Sequence, residues 1–237
     1  ALSCEQSDRV SFLACQKAGL TVAPQLADDS AFDATLIIAT NHRGANEAMV
    51  VRACAITKPD GRILIAGGKT QGIQSLRKTI ARHTDIDDVM AKYHAQVLWF
   101  APDKALATAL AVEPRTFAHG MTAAPGMFSH ERIDRGSALL AEHFDAKLSG
   151  AIADFGCGWG YLAKQVAMRC APQTLDLFDA HYPSLMAARD NLADLNIPTN
   201  THWLDLAAEP VARIYDGIVM NPPFHDGAVE NRDIGQK

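Results

Sequence analysis

The chain has 237 residues, enough for one large or two modest domains that each bury a hydrophobic core. Hydrophobic residues make up 48% and charged residues 21% of it, a balance typical of soluble globular proteins, and no apolar run approaches the roughly 20 residues of a membrane-spanning helix. The net charge of −5 argues against a general attraction to nucleic acid but is compatible with a local basic surface.

The cysteines are widely spaced, and no two of them form the C-x-x-C pair that is typical of redox and zinc sites. They are Cys4, Cys15, Cys54, Cys157 and Cys170. An odd number without a pairing pattern predicts free thiols in a reducing compartment. The first residues also lack a basic stretch and a cleavable apolar segment. We therefore expect a cytoplasmic, monomeric protein that binds neither metal nor membrane.

The N-terminal residues alternate between helical and strand patterns. Ser7 and Asp8 can cap a first helix that Gly19 ends. Strands and helices are then predicted in turn at 35–39, 46–56, 62–66, 73–82 and 96–100. Such alternation predicts an α/β fold with a largely parallel sheet.

Residues 40–95 carry a local excess of positive charge within this acidic chain. Nine basic residues oppose five acidic ones, a difference of +4. The basic residues are Arg43, Arg52, Lys58, Arg62, Lys69, Arg77, Lys78, Arg82 and Lys92, and the acidic ones are Glu47, Asp60, Asp85, Asp87 and Asp88. One interpretation is a surface that contacts RNA phosphates, above all through the helix carrying Arg77, Lys78 and Arg82. The alternative is an ordinary solvated helix face.

The regular alternation breaks between Thr116 and Gly136, where glycine and proline recur in a loop-rich segment. We predict that 116–136 is a connector, that 1–115 forms an N-terminal domain and that 137–237 forms a C-terminal one.

The most informative pattern follows this connector. A short apolar run ends in Asp154, glycines occupy 156, 158 and 160, and a helical pattern begins at Tyr161. This order predicts a strand, a tight turn and a helix N-terminus that bind a ligand. A dinucleotide fingerprint would need a third glycine where Tyr161 stands, which disfavours a dehydrogenase. The pattern D-x-G-x-G-x-G instead resembles the first motif of class I S-adenosylmethionine-dependent methyltransferases. A turn that only packs a helix on a strand is the alternative.

Other candidate ligand contacts lie in this turn and beyond it. Gly156, Gly158 and Gly160 let the backbone approach the cofactor, and Cys157 is expected to contribute its backbone and not its thiol. Asp179 ends the next predicted strand, where an acid is placed to bind ribose hydroxyls. Asp205 follows a third strand and is a candidate for contact with an adenine amino group. Either acid could instead be a solvated residue at a strand end.

A second motif follows the fourth predicted strand, 215–220, as Asn221-Pro222-Pro223-Phe224-His225. Two prolines stiffen this turn and remove N–H donors, which leaves the Asn221 side-chain oxygen and the Pro222 carbonyl as acceptors. Phe224 adds an aromatic face. Acceptors beside a ring suit a planar NH₂ group, whose lone pair they can direct at an electrophilic methyl. We therefore predict Asn221, Pro222 and Phe224 as catalytic residues.

Taken together, these motifs resemble one known family, the bacterial ribosomal RNA guanine-N2 methyltransferases, or RsmC/RlmG-like group. The resemblance is carried by Pro125-Gly126-Met127-Phe128-Ser129, Ile133-Asp134-Arg135-Gly136-Ser137, Asp154 to Gly160 and Asn221 to His225. It implies S-adenosylmethionine as cofactor, held by Asp154, the glycine turn, Asp179, Asp205 and Asn221. It also implies ribosomal RNA or the small ribosomal subunit as partner, and a catalytically inactive N-terminal domain.

The predicted fold class is therefore α/β, with a Rossmann-like class I methyltransferase domain after a degenerate methyltransferase-like domain. Aligning Phe32-Asp33-Ala34 with Tyr215-Asp216-Gly217 supports a duplication, because His42 then matches His225 and Glu47 matches Glu230. We expect the first copy to lack cofactor, since it has no glycine turn. The second copy is expected to be cut short after its fourth strand.

Two alternatives to guanine methylation remain at this stage. The same acceptors would serve adenine N6 or a protein glutamine amide. A protein that binds cofactor and RNA without turnover is the other alternative.

Overall fold

The computed structural model describes residues 2–222 together with His225–Asp226 and Val229–Glu230. Its α-helices are Arg9–Lys17 (α1), Arg43–Ile56 (α2), Ile73–Ile80 (α3), Lys104–Leu110 (α4), Arg135–Glu142 (α5), Tyr161–Arg169 (α6) and Tyr182–Asn191 (α7). Its strands are Cys4–Glu5 (β1), Val22–Ala23 (β2), Phe32–Ile38 (β3), Thr57–Gly68 (β4), Asp88–Lys92 (β5), Ala95–Phe100 (β6), Arg115–Thr116 (β7), Thr122–Ala123 (β8), Ser149–Phe155 (β9), Ala171–Asp179 (β10), Thr199–Trp203 (β11), Gly217–Met220 (β12), His225–Asp226 (β13) and Val229–Glu230 (β14). Short 3₁₀ turns lie at Lys69–Gln71 and Ala118–Gly120.

The chain divides into two units whose boundaries differ from the predicted ones. The C-terminal unit contains residues 2–25, Arg115–Ala123 and the described residues from Met127 onward. The N-terminal unit contains Leu26–Pro114 and Ala124–Gly126. Residues 2–25 therefore belong with the C-terminal unit, whereas the sequence pattern assigned them to the N-terminal domain. Whether the N-terminal unit is a degenerate methyltransferase remains a prediction.

Contacts across almost 200 residues hold α1 in the C-terminal unit. Arg9 donates from Nε and Nη2 to the two Glu209 carboxylate oxygens, at 2.8 and 2.6 Å. Phe12 packs edge-on against Trp203 with ring centroids 4.6 Å apart. Neither partner can be recognised from the residues around α1, because the contacts depend on distant parts of the chain. This is why the predicted boundary was misplaced.

The N-terminal unit contains a mixed sheet with strand order β3-β4-β6-β5. β3 and β4 run parallel, but β6 runs antiparallel to both β4 and β5. The prediction of a largely parallel sheet is therefore wrong for this unit. The pattern missed β5, a mostly exposed strand that joins β6 through the two-residue turn Tyr93-His94. Those residue types are unusual in a hairpin turn.

Helices cover one face of this mixed sheet. Along β4 the side chains of Ile63 and Ile65 are fully buried, and on β3 Ile37 is buried while Leu36 and Ile38 are exposed. This alternation follows from the two-residue period of a strand. The core behind these strands contains Val50, Ala53, Ile73, Leu76, Ile80, Leu98, Phe100, Leu106 and Leu110.

The C-terminal unit contains a four-stranded parallel sheet with order β11-β10-β9-β12. Helix α6 connects β9 to β10, and α7 connects β10 to β11. Phe155 at the end of β9 pairs with Phe178 on one side and Met220 on the other, so these strands end at the same edge. The strand order reverses at β9, which is the point where open α/β sheets bind ligands.

No helix among the described residues is long and apolar enough to cross a membrane.

The α1 ion pair should contribute measurably to stability. Glu209→Gln should lower the free energy of unfolding at pH 7 by about 1–2 kcal/mol, because a partly buried charged hydrogen bond is lost. Hydrogen bonding from Arg9 lowers the pKa of Glu209 to about 2. A carboxylate with a lowered pKa stabilises the fold above its unfolded pKa and loses this effect as the pH falls through its folded pKa. The difference from the parent, measured by urea unfolding, should therefore shrink as the pH falls from 5 towards 3.

A matched control is Arg43→Gln, which removes an i,i+4 pair with Glu47 in which the Arg43 side chain is 77% exposed. Its effect should be at most about 0.5 kcal/mol. Equal losses in the two variants would show that the Arg9–Glu209 pair contributes no more to stability than an exposed ion pair.

Candidate functional site

The glycine turn connects β9 to α6 at the carboxyl edge of the parallel sheet. Gly156, Gly158 and Gly160 all have positive φ, at 72°, 53° and 88°, which disfavours any residue with a Cβ atom. A Cβ added at Gly156 or Gly158 would meet no atom within 4 Å. A Cβ at Gly160 would lie 2.8 Å from Leu192 Cδ1. The first two glycines therefore expose bare backbone to open space, whereas the third allows α6 and α7 to pack closely.

Hydrogen bonds tie this turn to the end of β10. The backbone N–H groups of Gly156 and Cys157 both donate to the Phe178 carbonyl at 2.9 Å. Gly158 N–H donates to Asp179 Oδ2 at 2.7 Å. The Cys157 thiol lies in the core, and burial raises its pKa well above the ordinary value. The side chain of Cys157 thus packs in the hydrophobic core of the C-terminal unit, and only its backbone belongs to the turn.

Asp154 is a buried acid with one unsatisfied oxygen. Its Oδ2 accepts a hydrogen bond from Ala163 N–H in the first turn of α6 at 3.0 Å. Its Oδ1 is buried and has no hydrogen-bond partner among the described residues. Burial, with a smaller contribution from Asp179, raises the pKa of Asp154 to about 7. An unsatisfied carboxylate oxygen favours a ligand that brings a positive charge or a donor.

Asp179 ends β10 and Asp205 follows the neighbouring strand β11, as predicted, but both make local hydrogen bonds. Besides Gly158 N–H, Asp179 accepts His181 N–H on Oδ1 at 2.7 Å, and burial raises its pKa. Each oxygen keeps a further lone pair, so a hydroxyl can still bind. Asp205 Oδ1 accepts Ala207 N–H at 2.9 Å. The ligand roles of both acids remain predictions.

Asn221 lies directly after β12, beside the glycine turn, and its amide nitrogen is anchored. Nδ2 donates to Asp134 Oδ2 at 2.9 Å and to Ser137 Oγ at 2.8 Å. Asp134 Oδ2 also accepts Ser137 N–H at 2.9 Å and so caps α5. Because a carboxylate can only accept, the nitrogen of the Asn221 amide must face Asp134. The two hydrogen bonds of Nδ2 therefore anchor the amide and leave its oxygen out of these contacts.

Close approach of α5 makes the anchor possible. A Cβ on Gly136 would lie 3.0 Å from Asp134 Oδ2, which is tighter than usual, and 3.4 Å from Asn221 Oδ1. Glycine at this position therefore gives the two side chains room to meet. Pro222 is half-buried beside Asn221. The predicted catalytic residue Phe224 lies outside the described residues.

Asp134, Gly136 and Ser137 were quoted above for their family resemblance, but the sequence pattern assigned them no role. Their only local signal is an aspartate three residues before a serine at a helix start, which indicates an N-cap. The link to Asn221 spans 87 residues.

A second set of contacts missed by sequence reasoning supports the glycine turn from behind. Trp159 stacks on Phe117 with ring centroids 4.8 Å apart and donates its indole N–H to the Phe128 carbonyl at 3.1 Å. The buried Asn191 side chain donates to the carbonyls of Trp159 and Thr122 at 2.8 and 2.9 Å. The turn is therefore held by both the connector and α7.

The comparisons with known proteins agree with this geometry. Residues 119–237 match the family described as the methyltransferase small domain. The chain belongs to that family.

Curated relatives of this chain carry the name ribosomal RNA small subunit methyltransferase C. The protein from Sodalis glossinidius is 41% identical over 107 residues, which cover 45% of this chain and 30% of the relative. The protein from Pseudomonas paraeruginosa is 32% identical over 186 residues, which cover 75% of this chain and 56% of the relative. The chain thus spans between about a third and just over half the length of these relatives.

A solved structure with a similar fold is the T. thermophilus 16S rRNA N2 methyltransferase RsmC, determined with AdoMet and guanosine. The TM-score is 0.76 at 22% identity, over 100% of this chain and 68% of that chain. The predicted α/β, Rossmann-like fold is confirmed by this match and by the sheet order.

Within the part of the chain that the structure describes, no group of three or more His, Cys, Asp or Glu residues is arranged to hold a metal ion.

The different surroundings of the glycines predict different effects of added methyl groups. Gly160→Ala should lower the free energy of unfolding by about 2–4 kcal/mol, since it combines a left-handed φ with overpacking against α7. Gly156→Ala should lower it by only about 1–2 kcal/mol, from the backbone conformation alone. Chemical unfolding of the two variants beside the parent tests this. Equal losses would show that Gly160 is not a packing position.

Proposed function

We propose that the protein transfers a methyl group from S-adenosylmethionine to the exocyclic N2 amine of a guanine in small-subunit ribosomal RNA. The observation that carries this proposal is the anchored Asn221 amide, which lies at the strand-order reversal beside an open glycine turn. The names of the relatives support the choice of guanine and of ribosomal RNA. We also propose that it acts as a cytoplasmic monomer without metal.

The residues of the glycine turn fit the proposed cofactor. S-adenosylmethionine supplies an electrophilic methyl group on a cationic sulfur when bound. Open space in front of Gly156 and Gly158 admits a ligand close to the backbone. The unsatisfied Asp154 Oδ1 and the buried Asp179 favour a cationic ligand with hydroxyl donors. Asp205 is proposed to contact the adenine.

Asn221 and Pro222 are proposed to bind the reacting amine. An exocyclic amine on a base is a weak nucleophile, because its lone pair is delocalised into the ring. Two oxygen acceptors that hold the amine hydrogens out of the ring plane would localise that lone pair. The Asn221 amide oxygen suits this task, since both hydrogens of its nitrogen are engaged by Asp134 and Ser137. The rate gain then comes from positioning and preorganised electrostatics, with no strong base. Phe224 is proposed to stack on the base.

Substitutions of Asn221 and Asp179 should separate effects on the rate of methyl transfer from effects on cofactor binding. Asn221→Ala should lower the single-turnover rate on ribosomal RNA by about 10²–10³, by analogy with the loss of one oxyanion-hole donor, and this loss should far exceed any weakening of cofactor affinity. Asp179→Ala should weaken cofactor binding at least about tenfold, because hydrogen bonds to a charged group are lost. Single-turnover methyl transfer and calorimetric cofactor titration on the full-length protein measure both effects.

The outcomes separate the proposal from its alternatives. Because Asp179 also holds the glycine turn, melting temperatures must show that its variant remains folded. A folded Asn221→Ala protein with a near-normal single-turnover rate would contradict the proposal that Asn221 accepts a hydrogen bond from the reacting amine. Methylation of DNA or of a glutamine peptide in place of ribosomal RNA would favour the other NH₂ substrates. Binding without turnover in the parent would favour a non-catalytic protein.

The anchor of Asn221 can be tested separately with two matched N-cap variants. Asp134→Ala should lower turnover about tenfold to a hundredfold with little effect on KM, because the Asn221 amide is then free to rotate. Asp103→Ala removes the equivalent N-cap of α4, where Asp103 Oδ1 accepts Leu106 N–H at 2.9 Å, without touching Asn221. Each variant should lose about 1 kcal/mol of stability. If the two variants lose the same stability and both keep normal turnover, Asp134 only caps α5 and does not position Asn221 for catalysis.

A further inference from the structure

The N-terminal unit contains a cavity that the proposed chemistry does not use. It has a volume of about 330 Å³ and lies between the tip of the β5–β6 hairpin and the start of α3. We call it the hairpin pocket, lined chiefly by Lys69, Gln74, Lys92, Tyr93, His94 and Gln96. None of the described residues that line it is acidic. The pocket therefore combines positive charge, amide groups and an aromatic ring, which suits a ligand that carries both negative charge and a planar ring.

The hairpin tip holds its aromatic residue in a strained conformation. Tyr93 and His94 have φ of 52° and 62°, the left-handed region that Asn, Asp and Gly normally fill in such turns. Larger residues cost about 1–2 kcal/mol each in this conformation. Tyr93 recovers little of this by packing, since it is 85% exposed, although Lys92 Nζ lies 4.9 Å from its ring centroid. An exposed aromatic ring held at such a cost indicates a binding role.

Gln96 adds an unsatisfied acceptor to the pocket. Its Oε1 is buried and has no hydrogen-bond partner among the described residues. A buried acceptor without a partner destabilises the free protein, and a ligand with an N–H donor would remove that penalty. The exocyclic amines and ring N–H groups of nucleobases are donors of this kind.

Ion pairing divides the basic residues of this unit into two groups. Four of the nine within residues 40–95 make ion pairs, namely Arg43, Arg52, Lys58 and Arg62. The other five make none with any described residue, and they are Lys69, Arg77, Lys78, Arg82 and Lys92. All five fall in the segment from the 3₁₀ turn through α3 to the hairpin tip. Two of these five residues, Lys69 and Lys92, line the hairpin pocket itself.

Helix α3 continues this charge away from the pocket. Arg77 and Lys78 follow the pocket residue Gln74 by three and four positions, so all three share one helix face. Asp85 and Asp88, the nearby acids without an ion pair among the described residues, lie before β5 and at its first residue. That is the end of the strand remote from the tip.

We propose that the hairpin pocket binds one nucleotide of a single-stranded RNA segment whose backbone continues along α3. The base stacks on Tyr93 and donates to Gln96, while phosphates contact Lys69, Lys92 and then Arg77 and Lys78. This assignment rests on the proposed function only in taking RNA as the ligand. It concerns a site on the N-terminal unit, separate from the residues proposed for methyl transfer.

Tyr93 provides a test in which loss of folding cannot imitate loss of binding. Tyr93→Asn removes the ring but places a residue favoured by the turn, so stability should stay constant or rise. Its affinity for a fluorescein-labelled single-stranded oligoribonucleotide, measured by anisotropy with the full-length protein, should fall roughly tenfold to a hundredfold. Tyr93→Phe keeps the ring, and its affinity should stay within about twofold of the parent.

Charge substitutions test the phosphate contacts. Replacing Lys69 and Lys92 together by Gln should weaken RNA binding and reduce the slope of log affinity against log salt by about 1.4, or about 0.7 per phosphate. Lys58→Gln is the matched control, because Lys58 is already paired with Asp33, and it should leave the slope unchanged.

Different experimental outcomes would overturn the hairpin pocket and the proposed function. Parental RNA affinity in Tyr93→Asn, or an unchanged salt slope in the double Lys variant, would overturn the hairpin pocket whatever the methylation assay shows. If the parent methylates no RNA but these variants still lose RNA affinity as described, the pocket stands and the proposed function fails.

Discussion

The candidate site depends on the pair of hydrogen bonds from the Asn221 amide nitrogen to Asp134 and Ser137. These bonds determine which end of the amide is free, since a carboxylate cannot donate. They also connect two segments that are distant in sequence, the N-terminus of α5 and the carboxyl end of β12. Without them the amide could rotate, and the acceptor proposed for the reacting amine would have no defined direction.

Two buried carboxyl groups lie at the same edge of the sheet. Asp154 is the last but one residue of β9 and Asp179 ends the adjacent parallel strand β10, and burial raises the pKa of each. Backbone donors from the glycine turn, His181 and α6 satisfy three of their four oxygens, and Asp154 Oδ1 has no partner among the described residues. Two buried acids beside an open, glycine-lined space favour a cationic ligand. The proposed cofactor is cationic, so the electrostatics and the glycine geometry support the same assignment.

Much of the site could be predicted from the sequence because its residues follow local patterns. An apolar run ending in Asp154 and glycines indicates the first strand and its turn, and the run before Asn221 indicates the strand on its other side. Contacts that join distant segments could not be predicted in this way. The anchor of Asn221 and the packing of α1 on Trp203 belong to this class. Strand β5 was missed for another reason, since Tyr93 and His94 lack the residue types that mark a hairpin turn.

The two units carry different parts of the proposed function. The C-terminal unit presents the acceptors and the cofactor residues, whereas the N-terminal unit presents unpaired positive charge and an exposed ring. Tyr93 and Gly160 both have a left-handed backbone conformation, so the choice of residue at each position needs an explanation. One is explained by packing, as at Gly160, and the other has no packing explanation, as at Tyr93. This contrast is the reason for assigning a binding role to the hairpin.

The most direct test of the central claim compares two RNA substrates that differ by one amine. Ribosomal RNA segments containing guanosine, or inosine in place of guanosine, are incubated with the full-length protein and S-adenosylmethionine labelled in its methyl group. The account predicts label only in the guanosine substrate, recovered after digestion as N2-methylguanosine. Equal label in both substrates, or label recovered on another atom of the nucleoside, would contradict it.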